Sequence, residues 1–68
     1  MKKILIWGAG EFGIKTMRNL ERRHIEVSAF IDSNVRLQDK KIDKKVAIWS
    51  FEKCKERYKE QEICVLIS

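Results

Sequence analysis

The residues of this chain that could do chemistry are concentrated in one turn and one acid. All three glycines fall within Gly8-Ala9-Gly10-Glu11-Phe12-Gly13, and Asp32 follows Gly13 at about the 20-residue interval of a ribose-binding acid. Each residue type has a physical task. Gly8 permits a tight turn out of a strand, Gly10 lets the backbone approach a pyrophosphate, and Gly13 lets a helix pack closely on a sheet. The N–H groups of the turn, from Ala9 through Phe12, lie at the positive end of that helix and would hold phosphate. Asp32, with Ser33 beside it, would accept hydrogen bonds from an adenosine ribose. A carboxylate there favours NAD over NADP, because it repels a 2′-phosphate. Glu11 suits the helix dipole but brings negative charge near the phosphate unless its side chain points to solvent.

Outside this turn the sequence carries no catalytic set. There is no Ser/His/Asp constellation, no histidine at metal spacing from a cysteine, and no carboxylate pair placed for acid–base work. Tyr58 has Glu62 rather than Lys four residues later, so the Tyr-x-x-x-Lys pair is missing. His24 ends the first helix and is read as completing its inner stripe. Arg36, Lys40 and Lys41 follow Asp32 and read as a solvated loop within reach of an adenine. Cys54 falls on an apolar helix stripe and Cys64 in an apolar run, with no CxxC pair, so both read as reduced core thiols in a reducing, cytoplasmic compartment.

These residues need elements to position them. Ile4-Leu5-Ile6-Trp7 is a continuous apolar run that suits a strand buried on both faces. Gly13, Met17, Leu20 and His24 then recur at helical spacing. Residues 25–31 (IEVSAFI) form the second strand, ending at Asp32. The polar stretch 33–45 predicts an irregular crossover, since its apolar spacing is too thin for an amphipathic helix. Val46-Ala47-Ile48 is a short third strand, Ser50 an N-cap, and Phe51, Cys54 and Tyr58 the stripe of a second helix. Ile63-Cys64-Val65-Leu66-Ile67 is the fourth strand. Strands alternating with helices predict an α/β, Rossmann-like three-layer fold, a mostly parallel sheet of about four strands in the order 3-2-1-4. The glycine turn and the terminal Ser68 would both face the crevice between strands 1 and 4.

Length and charge bound the possibilities. With 68 residues the chain holds one domain, residues 1–68, and a full dinucleotide fold needs roughly twice that, so it reads as a partial one. A domain this small buries only about 60% of its unfolded surface and is marginal in stability. The opening apolar run stops after four residues, short of a signal-peptide core of about 7–15, and no stretch approaches the about 20 of a membrane span. The formal charge of +5 is spread over Lys2-Lys3, Arg22-Arg23, Lys40-Lys41 and Lys44-Lys45 without interleaved aromatics, which argues against nucleic acid as a partner.

At Ile4-Leu5-Ile6-Trp7-Gly8-Ala9-Gly10-Glu11-Phe12-Gly13, and again at Val27-Ser28-Ala29-Phe30-Ile31-Asp32-Ser33-Asn34, the sequence resembles the N-terminal nucleotide-binding domains of bacterial polysaccharide-biosynthesis enzymes. These are the nucleoside-diphosphate-sugar epimerase/dehydratases and, more loosely, the sugar acyltransferases with a similar leading domain. The likeness runs from about Lys3 to Ser68, with one departure: lysines stand in the loop from Gln38 to Lys45 where that group carries glycines. The resemblance implies that Gly8, Gly10, Gly13 and Asp32 contact NAD(P) or a nucleotide sugar, with catalysis in later domains. Against it stands a second reading, a non-catalytic sensor or interaction module that self-associates through the open edge of the fourth strand.

Overall fold

The computed structural model describes residues 2–67. The uninterrupted apolar run at the start forms β1 (Lys3–Trp7), flanked by a strand on each side. It is followed by α1 (Glu11–Arg22), β2 (Ala29–Ile31), β3 (Lys41–Ile42), β4 (Val46–Trp49), α2 (Phe51–Arg57) and β5 (Ile63–Ile67). The sheet order is β3-β4-β2-β1-β5. The pairs β1–β2, β1–β5 and β2–β4 are parallel, and β3–β4 is antiparallel.

The result is a small α/β domain with a mostly parallel, mixed sheet, and its order differs from the four-strand 3-2-1-4 expected. The difference arises in the crossover. Residues 33–40 contain no helix, in accord with their thin apolar pattern, but the chain then turns back on β4 as a two-residue edge strand. Asp43 and Lys44 both adopt positive φ (52° and 60°), and Lys45 N–H closes the turn on Ile42 O at 3.0 Å. Turns of this handedness match strand twist and normally use Asn-Gly or Asp-Gly. Lysine in the second position hid the hairpin from the sequence.

Side chains alternate across the sheet and build two apolar layers. Ile6, Phe30 and Ile48 point to the face covered by Met17 of α1, while Leu5, Ala29 and Ile31 point to the face covered by Cys54 of α2. Phe30, Leu5, Ile6 and Met17 are fully buried, each contributing about 2–3 kcal/mol through burial. Phe51, Tyr58 and Trp49 extend the second layer, with Trp7 stacked on Phe51 at 5.0 Å between centroids.

Three further expectations are corrected. The second strand covers only Ala29–Ile31, and the N–H of Ile25 is used to close the end of α1. There His24 takes φ 62°, His24 N–H donates to Glu21 O, and Ile25 N–H donates to Leu20 O, a Schellman closure. His24 is therefore exposed at the turn and does not complete the inner stripe. Cys54 is buried, but Cys64 is only half-buried, because β5 is an edge strand that neither helix fully covers. The expected placement of Ser68 lies outside the described residues.

Candidate functional site at the carboxyl end of the parallel strands

The glycine turn leaves β1 at its carboxyl end, with β2 on one side and β5 on the other. Gly8 adopts φ 110°, a conformation that side-chain-bearing residues rarely reach, and its N–H donates to Ile31 O at 2.8 Å. This bond seats the turn on the end of β2. Ala9 is buried in the α1-side layer. Gly10 is the N-cap of α1 and offers no side-chain cap, so the first N–H groups of a 12-residue helix emerge beside it.

The remaining glycines differ in what they do. A β-carbon on Gly13 would lie 1.9 Å from Gly8 O and 3.3 Å from the Phe30 ring, so close packing of α1 on β1 requires glycine there. Around Gly10 there is nothing within 4 Å of the same position, and its φ of −84° is ordinary. Nothing in the described structure demands glycine at that point. The bare space lies at the positive end of the helix dipole.

Glu11 and Phe12 complete the turn, and both are exposed. Glu11 is the acid of the first helical turn. Phe12 is 74% exposed, with the Lys15 ammonium 5.9 Å from its ring centroid.

Asp32 stands against this turn, as its spacing suggested, and it has a local task. Its Oδ2 accepts the Ala9 N–H at 2.9 Å, and its Oδ1 accepts the Asn34 N–H at 2.8 Å. One carboxylate thus staples the glycine turn to the loop after β2. An ionised carboxylate has about four acceptor positions, so these two bonds leave capacity for a diol. Asp32 N–H donates to Trp49 O at 3.0 Å, and Gln38 Nε2 donates to Asp32 O at 2.9 Å. Sequence reasoning did not find Gln38 in this role. It lies in an irregular loop, and no periodicity marks it.

Ser33 sits on a different surface. It is exposed and lines a cleft of about 340 Å³ with Trp7, Ile31, Gln38, Ser50 and Phe51. Trp7 and Ile31 place this cleft on the side of the sheet covered by α2. Arg36 and Lys40 are exposed in the loop, as expected; Lys41 is exposed too but belongs to the edge strand β3 and not to the loop. A cavity of about 740 Å³ lies at the opposite end of the sheet, where Lys3, Ser28 and Val46 mark the amino ends of three strands. Its size reflects an open trough between element ends; the charges around it include Lys45 and Glu21, already paired at 2.8 Å. The hydrogen bond and charge of Glu21 hold the Lys45 ammonium above its usual pKa.

Among the described residues no group of His, Cys, Asp and Glu is arranged to hold a metal ion. Among the same residues no helix is long and apolar enough to cross a membrane. No curated protein and no solved structure matches the chain. A family of domains described as C2185-like, N-terminal, does match it, over residues 1–59. With that match covering most of its length, the chain belongs to the C2185-like N-terminal family.

Proposed function

We propose that this domain binds a dinucleotide or a nucleotide sugar, with the phosphates at Gly8–Gly13 and the ribose at Asp32. The observation that carries this reading is Gly10. Neither its dihedral angles nor its neighbours require glycine, and the space that a side chain would enter lies at the start of α1. A phosphate held there would accept the N–H groups of the first helical turn. The resemblance to the leading domains of nucleotide-sugar epimerase/dehydratases supports the same ligand class and a Rossmann-like mode of binding.

Asp32 decides between cofactors. With one acceptor position on each oxygen taken by backbone N–H, the remaining positions suit the two hydroxyls of a ribose and repel a 2′-phosphate. NAD is therefore preferred to NADP. The domain supplies binding and not chemistry; in a nucleotide-sugar-modifying enzyme the reacting groups would come from elsewhere in the protein.

Amide chemical shifts of the labelled chain, followed during titration with NAD, NADP and UDP-glucose, test the reading. The expected result is weak saturable binding, with the largest shifts at Gly8–Gly13 and Asp32 and a weaker response to NADP. The absence of shifts in the turn with all three ligands at millimolar concentration would overturn it.

A further inference from the structure

The cleft beside Asp32 has a chemistry of its own. It is bounded by the carboxyl ends of β1, β2 and β4 and by the first residues of α2. Its volume of about 340 Å³ stands at the small end of ligand pockets, room for one ring system and not for a whole dinucleotide. Trp7, Ile31 and Phe51 give it apolar surface. Trp7 and Phe51 stack at 5.0 Å between centroids, and Trp7 is 37% exposed, so part of an aromatic surface lies open.

The polar groups of the cleft are Ser33, Gln38, Ser50 and Glu52. Gln38 Nε2 gives one N–H to Asp32 O at 2.9 Å, and its amide has a second N–H and an oxygen to offer. Ser50 Oγ accepts the Lys53 N–H at 3.1 Å and has its own proton to donate. Among the described residues that line the cleft, Glu52 alone is charged, and an ionised carboxylate can only accept.

Charge and position together select what such a cleft can take. A carboxylate repels phosphate, so the phosphates stay at the glycine turn and the cleft receives an uncharged group. Ser33 follows Asp32 directly, about 3.8 Å along the chain, and Gln38 is bonded to the Asp32 carbonyl. In a nucleoside the base is attached to the carbon next to the one bearing the 2′-hydroxyl. A ribose held on the Asp32 carboxylate therefore brings its base to the end of β2, within reach of this cleft.

We infer that the cleft holds the nucleobase, and that Glu52 selects a base with an exocyclic amino group (adenine, guanine or cytosine) over uracil. The inference rests on the ligand class proposed above and narrows it. The base covers the open aromatic surface of Trp7 and Phe51. Its amino group donates to the Glu52 carboxylate, and its acceptors meet Gln38, Ser33 or Ser50. Uracil has no amino group. It presents two carbonyl oxygens with a single N–H between them, so a carbonyl oxygen would face the carboxylate. A uridine-linked sugar is thereby disfavoured.

Amide-shift titration of the labelled 68-residue chain with AMP, GMP, CMP and UMP tests the inference, because the four share ribose and phosphate and differ only in the base. All four should shift Gly8–Gly13. At least one of AMP, GMP and CMP should also shift Ser33, Gln38 and Glu52. That nucleotide should bind about fivefold tighter than UMP, the worth of one added hydrogen bond to a charged group at an open site. The tightest of the three names the base. Glu52→Gln changes an exposed side chain and should bring that nucleotide to the affinity of UMP, with the shifts at the glycine turn kept. Equal binding of all four with no shifts in the cleft would overturn the inference and leave the phosphate site standing. A preference that survives Glu52→Gln would overturn it as well. A turn that responds to none of the four would overturn the functional reading itself, and the base site with it.

Discussion

Gly13 sits against the carbonyl oxygen of Gly8 so closely that a β-carbon on Gly13 would lie 1.9 Å from it. One side of that contact is a backbone oxygen and the other a β-carbon fixed directly to the backbone, so no side chain can rotate away to relieve it. Gly13→Ala should destabilise the domain by about 3 kcal/mol, at the severe end of overpacking changes, a loss read from the urea midpoint.

Gly10→Ala makes the contrasting prediction. With open space around the position and φ at −84°, the variant should fold, at a cost of only about 0.5–1 kcal/mol for alanine in place of glycine at an N-cap. Nucleotide-induced amide shifts should nevertheless weaken by tenfold or more, because the added methyl group occupies the approach to the first helical turn. A loss of stability comparable to that of Gly13→Ala would show that Gly10 serves the fold instead of a ligand.

Asp32→Asn tests the staple between the glycine turn and the loop after β2. One of the two backbone donors, Ala9 N–H or Asn34 N–H, would meet an amide NH2 in place of an oxygen. Leaving a part-buried donor unsatisfied costs about 1–3 kcal/mol. Hydrogen exchange at Ala9 and Asn34 should accelerate more than exchange in α2.

His24→Gly should stabilise the chain by about 0.5–1 kcal/mol. His24 occupies the left-handed C′ position of a Schellman closure at φ 62°, where glycine has no steric penalty. The gain is partly offset by the greater freedom of glycine in the unfolded chain. Thermal unfolding of the two proteins side by side measures it.

Stability should fall on the alkaline side. Burial pushes the Cys54 thiol above its ordinary 9.0 and the Tyr58 phenol above its ordinary 10.0. Both groups keep their protons longer in the folded state. Their contribution is complete below the unfolded values and is lost as pH rises through the folded ones. Lys45, raised by Glu21, adds a loss of the same sign above 10.5. Urea midpoints should therefore decrease from pH 8 to pH 10. Cys54→Ala should flatten that slope while lowering stability at pH 7 by about 1 kcal/mol.

Much of this molecule can be read from local pattern. The run Ile4–Trp7, the stripe Phe51, Cys54 and Tyr58, and Ser50 as the cap of α2 are determined by short-range periodicity and hydrogen bonding. The structure places them accordingly, with Ser50 Oγ accepting the Lys53 N–H at 3.1 Å. The glycine turn is equally legible, since a strand that must bend into a helix within three residues calls for glycine. Sequence alone also brought Asp32 to the same end of the sheet, by spacing.

What the sequence could not determine depends on contacts between distant segments. The strand β3 exists because β4 is there to pair with it, and Lys44 in a glycine-type turn position gave no local sign of it. The half-exposure of Cys64 follows from β5 standing at the edge, which only the sheet order decides. The bond from Ala9 N–H to Asp32 Oδ2 spans 23 residues. Spacing placed the acid near the turn, but only the packed sheet determines that one of its oxygens meets the glycine turn while the other meets the loop after β2.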